Sequence, residues 1–545
     1  MLNYVLTPFR RVPLGIAALL AATTLLSGCQ ITQPFQQQAA THSAEQLPRD
    51  VGIQKYAIAL PTSIHQEQNT EQLSPLQQAD VWDRVRLQLS LDVPNHPNIE
   101  AHRNWYLQNP HYIPRVTQRA GPLLYFIVEE IEKRNLPLEL VMVPIVESAF
   151  DTFAYSHGRA SGLWQFIPST AIHYGLDINW WYDGRRDIVA ATHTALDYFE
   201  RLAATFDGDW LLALAAYNGG QGRVAAAIRR NKAQNLPTDF WSLRLPRETT
   251  QYVPKILALS SLLAERYESP LAWRFVPNQP VLEVIDVGQQ MDLALAADMA
   301  GLTLEELHRF NSGYNRWATT PEGPFHLLLP QTAAEQFKTA LASSDPAGWV
   351  SWERHRVRRG ESLITIARQY HTTPSAIQQA NNISGSLIRA GDFLLIPVAS
   401  QNLNAYSLSA EQRLASTQSR ANNGTRIDHT VARGDTLWDL SRKYGVAINQ
   451  IAQWNNMAPG DMLRPGQTLA IWQAENVSAP SQANSGAAVT RTVTYQVRAG
   501  DSLARIASRF RVTVTDIERW NQISRERYLQ PGQRLTLHVD ITQGG

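Results

Sequence analysis

Between residues 75 and 270 the apolar positions recur with the period of an α-helix almost throughout. Val81, Val85 and Leu89 follow at intervals of four behind Ser74 and Pro75, which predict an N-cap and a proline in the first turn. Residues 122–131 read as a strongly apolar helix with a charged tail, and 138–147 as a second, kinked at Pro144 because proline lacks the amide donor. A third begins near Asp187, with Ile188, Ala191, Ala195, Phe199 and Leu202 on one stripe. A fourth, 210–217, meets a left-handed stop at Asn218-Gly219-Gly220. Segments 223–230 and 248–267 add two more. No strand pattern interrupts them, so the expectation is an all-α domain over 75–270.

The second half of the chain repeats itself. Gly360-Glu361-Ser362-Leu363, Gly434-Asp435-Thr436-Leu437 and Gly500-Asp501-Ser502-Leu503 open three segments that continue with helix-period apolar residues. Asn381, Asn455 and Asn521 each fall 21 residues after their Gly, and each unit then closes on a Gly and a short apolar strand. Strand, capped helix, helix, strand is the implied unit, with Ser or Thr at the N-cap. The chain is therefore multidomain, with small α+β (βααβ) modules at 352–398, 427–472 and 493–539. Stretches 399–424 and 473–492, rich in Asn, Ser, Ala and Gln, read as linkers that let the modules move independently. Segment 271–345 echoes the repeat with its cap replaced and extra residues after Asn311. It is expected to be a degenerate copy, docked on the helical domain and unable to bind sugar.

Composition narrows the function. Of 545 residues 44% are hydrophobic and 18% charged, as in globular domains, and the net charge of +1 with no basic patch argues against nucleic acid. No motif asks for a metal or a cofactor. Fifteen Trp and eighteen Tyr suit sugar rings, although core packing accounts for most of them. At the N-terminus Arg10 and Arg11 precede an apolar run, 14–26, too short to span a bilayer, and then Leu26-Ser27-Gly28-Cys29. That tetrad resembles the lipobox of bacterial lipoproteins. It implies a signal peptide at 1–28, a lipid on Cys29, which is the sole cysteine, and a tether over 29–74. Gln30 after the Cys favours the periplasmic face of the outer membrane. The flexible spacing suggests a monomer.

The chemistry is expected where a lone carboxylate, Glu147, sits among aliphatic and aromatic residues, because burial raises a carboxyl pKa toward the range of a general acid. Glu147-Ser148, Gly162-Leu163-Trp164-Gln165-Phe166, Ala216-Tyr217-Asn218-Gly219-Gly220 and Glu248 through Val253 stand in the order and spacing of four motifs. The region resembles the lysozyme-like lytic transglycosylases. The resemblance implies Glu147 as catalytic acid and base, substrate contacts at Ser148, Gln165, Tyr217 and Asn218, and support of the cleft by Glu248 and Tyr252. Trp164 and Phe166 stand where many relatives have Met. The three repeats resemble LysM modules, which bind N-acetylglucosamine-containing glycans. This implies a groove lined by Gly360, Ser362, Leu363 and Asn381 in the first copy, and by Gly434, Asp435, Thr436, Leu437 and Asn455 in the second. Gly500, Asp501, Ser502, Leu503 and Asn521 would line it in the third. The implied partner is the glycan strand of peptidoglycan.

An ordinary glycosidase needs two carboxyl groups. Asp151 reads as a turn residue beyond the helix, and Asp183 and Asp187 as parts of a surface loop salt-bridged to Arg185 and Arg186. With Glu147 alone, the substrate acetamido group would stabilise the oxocarbenium-like centre and the muramyl C6 hydroxyl would close a 1,6-anhydro ring. Two alternatives remain: a hydrolytic muramidase or chitinase pairing Glu147 with Asp151 or Asp183, and a non-catalytic wall-binding lipoprotein.

Overall fold

The computed structural model describes residues 73–473 apart from 157, 421 and 423, and 490–540 apart from 498–500, 504–505, 508–511, 513, 524–528 and 531. The expected signal peptide, Cys29, the tether as far as residue 72 and Gly500 lie outside the described residues.

Nine α-helices build the first domain among the described residues: α1 Val81–Arg86, α2 Pro97–Gln108, α3 Tyr112–Lys133, α4 Met142–Ser148, α5 Pro168–His173, α6 Ile188–Thr205, α7 Trp210–Gly219, α8 Gln221–Ala233 and α9 Arg247–Ala264. α9 is the central strut. Its Val253, Ile256, Leu257, Leu259 and Leu263 are wholly buried, and α2, α4 and α7 all pack on it. α7 is apolar on every face because α6, α8 and α9 surround it.

Several boundaries differ from expectation. Ser74 and Pro75 open only a 3-10 turn, whereas α1 is capped by Asp80, whose carboxylate accepts the Trp82 amide at 3.1 Å. α3 starts ten residues before Pro122, since Ile113, Val116, Thr117 and Ala120 extend the buried stripe backwards. Segment 138–147 divides into a 3-10 turn, Leu138–Val141, and α4. Pro144 is then the third residue of α4, where an amide would have no helical partner, so its missing donor costs nothing.

A second unit follows. β1 Leu282–Asp286 pairs antiparallel with β2 His326–Pro330, with α10 Leu293–Ala300 and α11 Leu304–Phe310 between them and α12 Gln331–Ser343 after them. Its Phe310 and Leu328 enter the core of the helical domain, while Trp181 and Tyr182 of that domain enter the core of this unit. The two are therefore packed together.

The repeats are βααβ units. β3 Ser351–Arg356 pairs with β4 Phe393–Val398 around α13 Leu363–Gln369 and α14 Pro374–Ala380. In the second, β5 Thr425–Thr430 pairs with β6 Thr468–Gln473 around α16 Leu437–Tyr444 and α17 Ile448–Trp454. In the third, β7 Thr490–Gln496 pairs with β8 Arg534–Asp540, and α18 Val514–Asn521 precedes β8. The recurrent asparagine explains itself. The Asn455 amide donates to Ile451 O (2.7 Å) and Ala470 O (2.8 Å), and its carbonyl accepts the Ala470 amide (2.8 Å). It closes a helix end and pairs a strand edge at once. Asn381 does the same with Ile377 and Leu395, Asn521 with Ile517 and Thr536, and Asn311 of the second unit with Leu307 and Leu328. Each of these asparagines is an internal clamp of its unit.

The stretch 399–424, expected to be a flexible linker, is structured. Tyr406 is buried and its hydroxyl donates to both oxygens of Asp292 (2.9 and 3.0 Å). α15, Ala410–Ser419, then lays the Arg413 guanidinium over the Phe153 ring (4.6 Å) and sends the Gln418 amide to Asn455 Oδ1 (2.7 Å). The Trp181 and Trp317 indoles donate to Thr373 and to the His371 carbonyl of the first repeat, and Arg159 pairs with Asp461 of the second. Polar composition signals freedom only where no partner surface waits for the few apolar and cationic anchors. The linker 473–492 lies outside the described residues except at its ends.

The clamp predicts that Asn455→Ala destabilises the second repeat by about 2–3 kcal/mol, having removed one side chain that serves three backbone groups. Hydrogen exchange across 448–473 should accelerate while 247–264 is unchanged; an unaltered repeat would show the clamp to be dispensable.

Candidate active site

The site is assembled from the end of α4, the loop 161–166, the end of α7 and the start of α9. α4 stops directly after Glu147 and Ser148, because Ala149 (φ 50°) and Phe150 (φ 58°) both adopt the left-handed conformation. Two such residues in succession are costly without glycine, and local over-determination holds them. Phe150 is buried, and its amide returns to Pro144 O at 3.2 Å. Asp151 lies beyond this stop, and its carboxylate accepts the Phe153 amide at 2.9 Å in a side-chain turn.

Ser148 Oγ donates to Leu163 O (2.8 Å) and to Pro144 O (3.1 Å), tying the helix end to the next loop. That loop depends on Gly162 (φ 80°), where a Cβ would lie 1.8 Å from the Arg185 carbonyl oxygen. Gln165 also lies in the left-handed region (φ 50°), and its amide donates to Gly162 O (2.8 Å) and Ala154 O (3.3 Å). The Tyr217 hydroxyl donates to Trp164 O (2.7 Å), and its ring stacks on Phe199 at 4.4 Å and 12°. Trp164 and Phe166 are buried, the former donating to Thr192 Oγ1 (3.0 Å), the latter edge-on to Tyr217. They belong to the core rather than to a glycan stack. Thr249 Oγ1 donates to Asn218 Oδ1 (2.9 Å) where α7 meets α9, and a Cβ on Gly219 would come within 2.7 Å of that hydroxyl oxygen.

Electrostatics single out Glu147. Burial pushes its pKa up to about 7, with the charge of Glu248 adding to the shift and the Tyr252 hydroxyl and Lys255 opposing it. The Tyr252 hydroxyl is buried, lacks any other hydrogen-bonding partner and faces Glu147. Its own pKa lies well above the usual tyrosine value through burial and that neighbouring carboxylate. Glu147 itself is only half-buried, so a ligand can reach it. Glu248, Tyr252 and Lys255 stand four and three residues apart, on one face of α9. Sequence reasoning missed Lys255 and Thr249, although that spacing was available to find Lys255.

The Asp183–Asp187 turn is not the surface loop expected. Asp183, Arg185, Arg186 and Asp187 are all buried. Burial alone would raise the Asp183 pKa, but Arg186 and Arg185, the latter at 2.9 and 2.8 Å, hold it below the usual carboxylate range. Arg186 donates to Ser312 O (3.1 Å), and Asp187 pairs with His326 (2.8 Å). The second unit covers this turn, which is why a charged sequence became an interior one. Asp183 is held by Arg185 and Arg186, and Asp151 closes its own turn; the carboxylate that Glu147 senses is Glu248.

In the repeats, Leu363, Leu437 and Leu503 are core residues, and Ser362 and Thr436 cap α13 and α16. Asp435 closes its own loop, accepting the Ala432 amide and His429 Nε2, each at 2.8 Å. Asp501 accepts the Tyr495 hydroxyl (2.7 Å) in the third copy, where Ser502 stands at the same position beside it. Gly360 and Gly434 take positive φ at the turn. The recurrent residues thus mark what the fold needs. Among the described residues no three His, Cys, Asp or Glu converge as metal ligands.

Family models agree with this layout. The transglycosylase SLT domain matches residues 125–239, the lytic transglycosylase MltD LysM-like domain 281–346, and the LysM domain 355–397, 429–472 and 495–537. The chain is 37% identical over 460 residues to membrane-bound lytic murein transglycosylase D of Escherichia coli strain K12, covering 82% of this chain and 96% of that protein. The chain belongs to the membrane-bound lytic murein transglycosylase D family. A putative tributyltin chloride resistance protein of Alteromonas sp. strain M-1 is 50% identical over 131 residues, 23% of this chain and 63% of that protein. The crystal structure of the 70 kDa soluble lytic transglycosylase from Escherichia coli aligns at 18% identity over 35% of this chain and 33% of that one, with a TM-score of 0.24. The MltD LysM-like match falls on the unit in which Asn311 repeats the clamp.

The raised pKa has a consequence for stability. Unfolded, Glu147 releases its proton near its ordinary 4.5; folded, near 7. Above pH 7 the fold carries an ionised carboxylate in a desolvated place, and below pH 4.5 both states are protonated. Glu147→Gln should therefore raise the thermal midpoint at pH 8 and leave it unchanged at pH 4; equal shifts at both would contradict the displaced pKa.

Proposed function

We propose that the chain cleaves the β-1,4 bond between N-acetylmuramic acid and N-acetylglucosamine in peptidoglycan, without water, to leave 1,6-anhydromuramyl ends. The observation that carries this is the Glu147 carboxyl, held near neutral pKa and half-accessible, while Asp151 and Asp183 are engaged elsewhere. Protonated Glu147 donates to the glycosidic oxygen. The substrate acetamido oxygen then takes the part of the second carboxylate, and Glu147, now ionised, removes the C6 hydroxyl proton as the ring closes. The Tyr252 hydroxyl stabilises that ionised form. Ser148, Gln165, Tyr217 and Asn218 shape the walls for the sugars, Gln165 and Asn218 largely by holding the loop and helix ends that form them.

The repeats bind the glycan through surfaces left outside their clamps and caps, and the unit over 271–345 serves as a docked connector. Within the envelope the protein is a monomer anchored through lipidated Cys29 at the periplasmic face of the outer membrane. In support, no helix among the described residues is long and apolar enough to cross a membrane.

Glu147→Gln should reduce release of anhydro-muropeptides about 10²–10⁴-fold, the worth of one general acid. The wild-type rate should fall as pH rises through about 7, where Glu147 loses its proton. Mass spectrometry of the products should show ends lacking one water. Glu248→Gln should retain most activity; a loss as deep as that of Glu147→Gln, with hydrated reducing ends, would make this a two-carboxylate hydrolase.

A further inference from the structure

The end of α3 and the start of α7 border an open pocket of about 530 Å³, lined by Gln88, Ser90, Glu132, Asn135 and Trp210 with residues 136–138. It is apart from the Glu147 cleft. α7 begins at Trp210 and carries Tyr217 and Asn218 at its other end, and seven residues of helix rise about 10 Å. The 3-10 turn that opens at Leu138 likewise leads away from the cavity into α4, whose last turn bears Glu147.

The lining is polar and carries one acid. Glu132 is its one charged residue, and it accepts Arg84 Nε (2.9 Å) and Nη2 (2.5 Å) and the Gln88 amide (2.7 Å), while the same guanidinium also serves Glu129 (2.6 Å), so the cluster keeps one negative charge. A phosphate or carboxylate would find no free cation here and would be repelled. Hydrogen-bonding capacity remains on neutral groups. The Asn135 side-chain amide, the Ser90 hydroxyl and the Trp210 indole N–H make no hydrogen bond within the described residues. The wall itself is firm, since the amides of Ser90 and Leu91 both donate to buried Glu139 (2.6 and 2.7 Å) and Trp210 packs on the main core. An aromatic side beside an amide, a hydroxyl and an acid already held by Arg84 suits the hydroxyl-rich rim of an uncharged pyranose ring: its C–H face lies on the indole and its hydroxyls meet the amide.

We propose that this cavity is a second glycan site, distinct from the cleft and from the repeats, that takes one uncharged N-acetylhexosamine unit. It rests on the proposed function only in the choice of sugar.

The test is hydrogen exchange of the full-length protein with millimolar chitotetraose, resolved by segment. Exchange should slow in 86–91, 132–138 and 207–212. Asn135→Gly keeps the left-handed backbone of Asn135 (φ 52°) while removing the amide, and should raise the sugar needed for half-protection of these segments about tenfold without lowering the thermal midpoint. Trp210→Ala should abolish the protection. No slowing in the three segments, or slowing that survives both substitutions, overturns the site. Strand cleavage is not read in this experiment, so the cavity can fail while Glu147 chemistry stands, and the reverse.

Discussion

The Glu147 carboxyl holds its proton near neutral pH only because the last turn of α4 is wrapped by loop 161–166, the end of α7 and the start of α9. Loop 161–166 and the end of α7 are pinned through backbone carbonyls, and the start of α9 through the Thr249 hydroxyl on Asn218. Ser148 reaches the Leu163 carbonyl, Tyr217 the Trp164 carbonyl, and Gly162 lets the loop lie against Arg185. Desolvation of one acid therefore depends on contacts that place main chain, and these tolerate little displacement. The left-handed pair at Ala149 and Phe150 belongs to the same requirement. It ends the helix one residue after the acid is in place and leaves Asp151 to the turn that follows.

Much of this was legible in the sequence, and for a physical reason. Helical period and caps reported α6, α7 and α9 because their buried stripes are long, and Asn218-Gly219-Gly220 marked a true helix end. The apolar setting of Glu147 foretold its raised pKa. What the sequence could not show was which surface covers another. The turn from Asp183 to Asp187 carries four charges in five residues, and such a run normally faces water. Here it lies beneath Ser312, Asn315 and His326, partners more than 120 residues away.

The repeats teach the opposite lesson. Asn381, Asn455 and Asn521 stand out because they recur, and the resemblance to LysM modules implies a place for them along a sugar groove. The structure gives them a shared internal duty, and Asn311 performs it in a copy whose turn sequence has diverged. A repeated polar residue reports what every copy must do, and the first thing each must do is satisfy its own backbone. Surfaces that differ between copies are the better place to look for what each binds.

α15 gives the arrangement its mechanical character. With Tyr406 seated on Asp292, Arg413 on Phe153 and Gln418 on Asn455, the first two repeats and the helical domain form a frame rather than beads on a string. The orientational entropy that a flexible linker would lose on gripping a strand is lost here once, when the chain folds. A polymer that meets one repeat then finds the next contact at a set distance and angle, as along the jaw of a caliper.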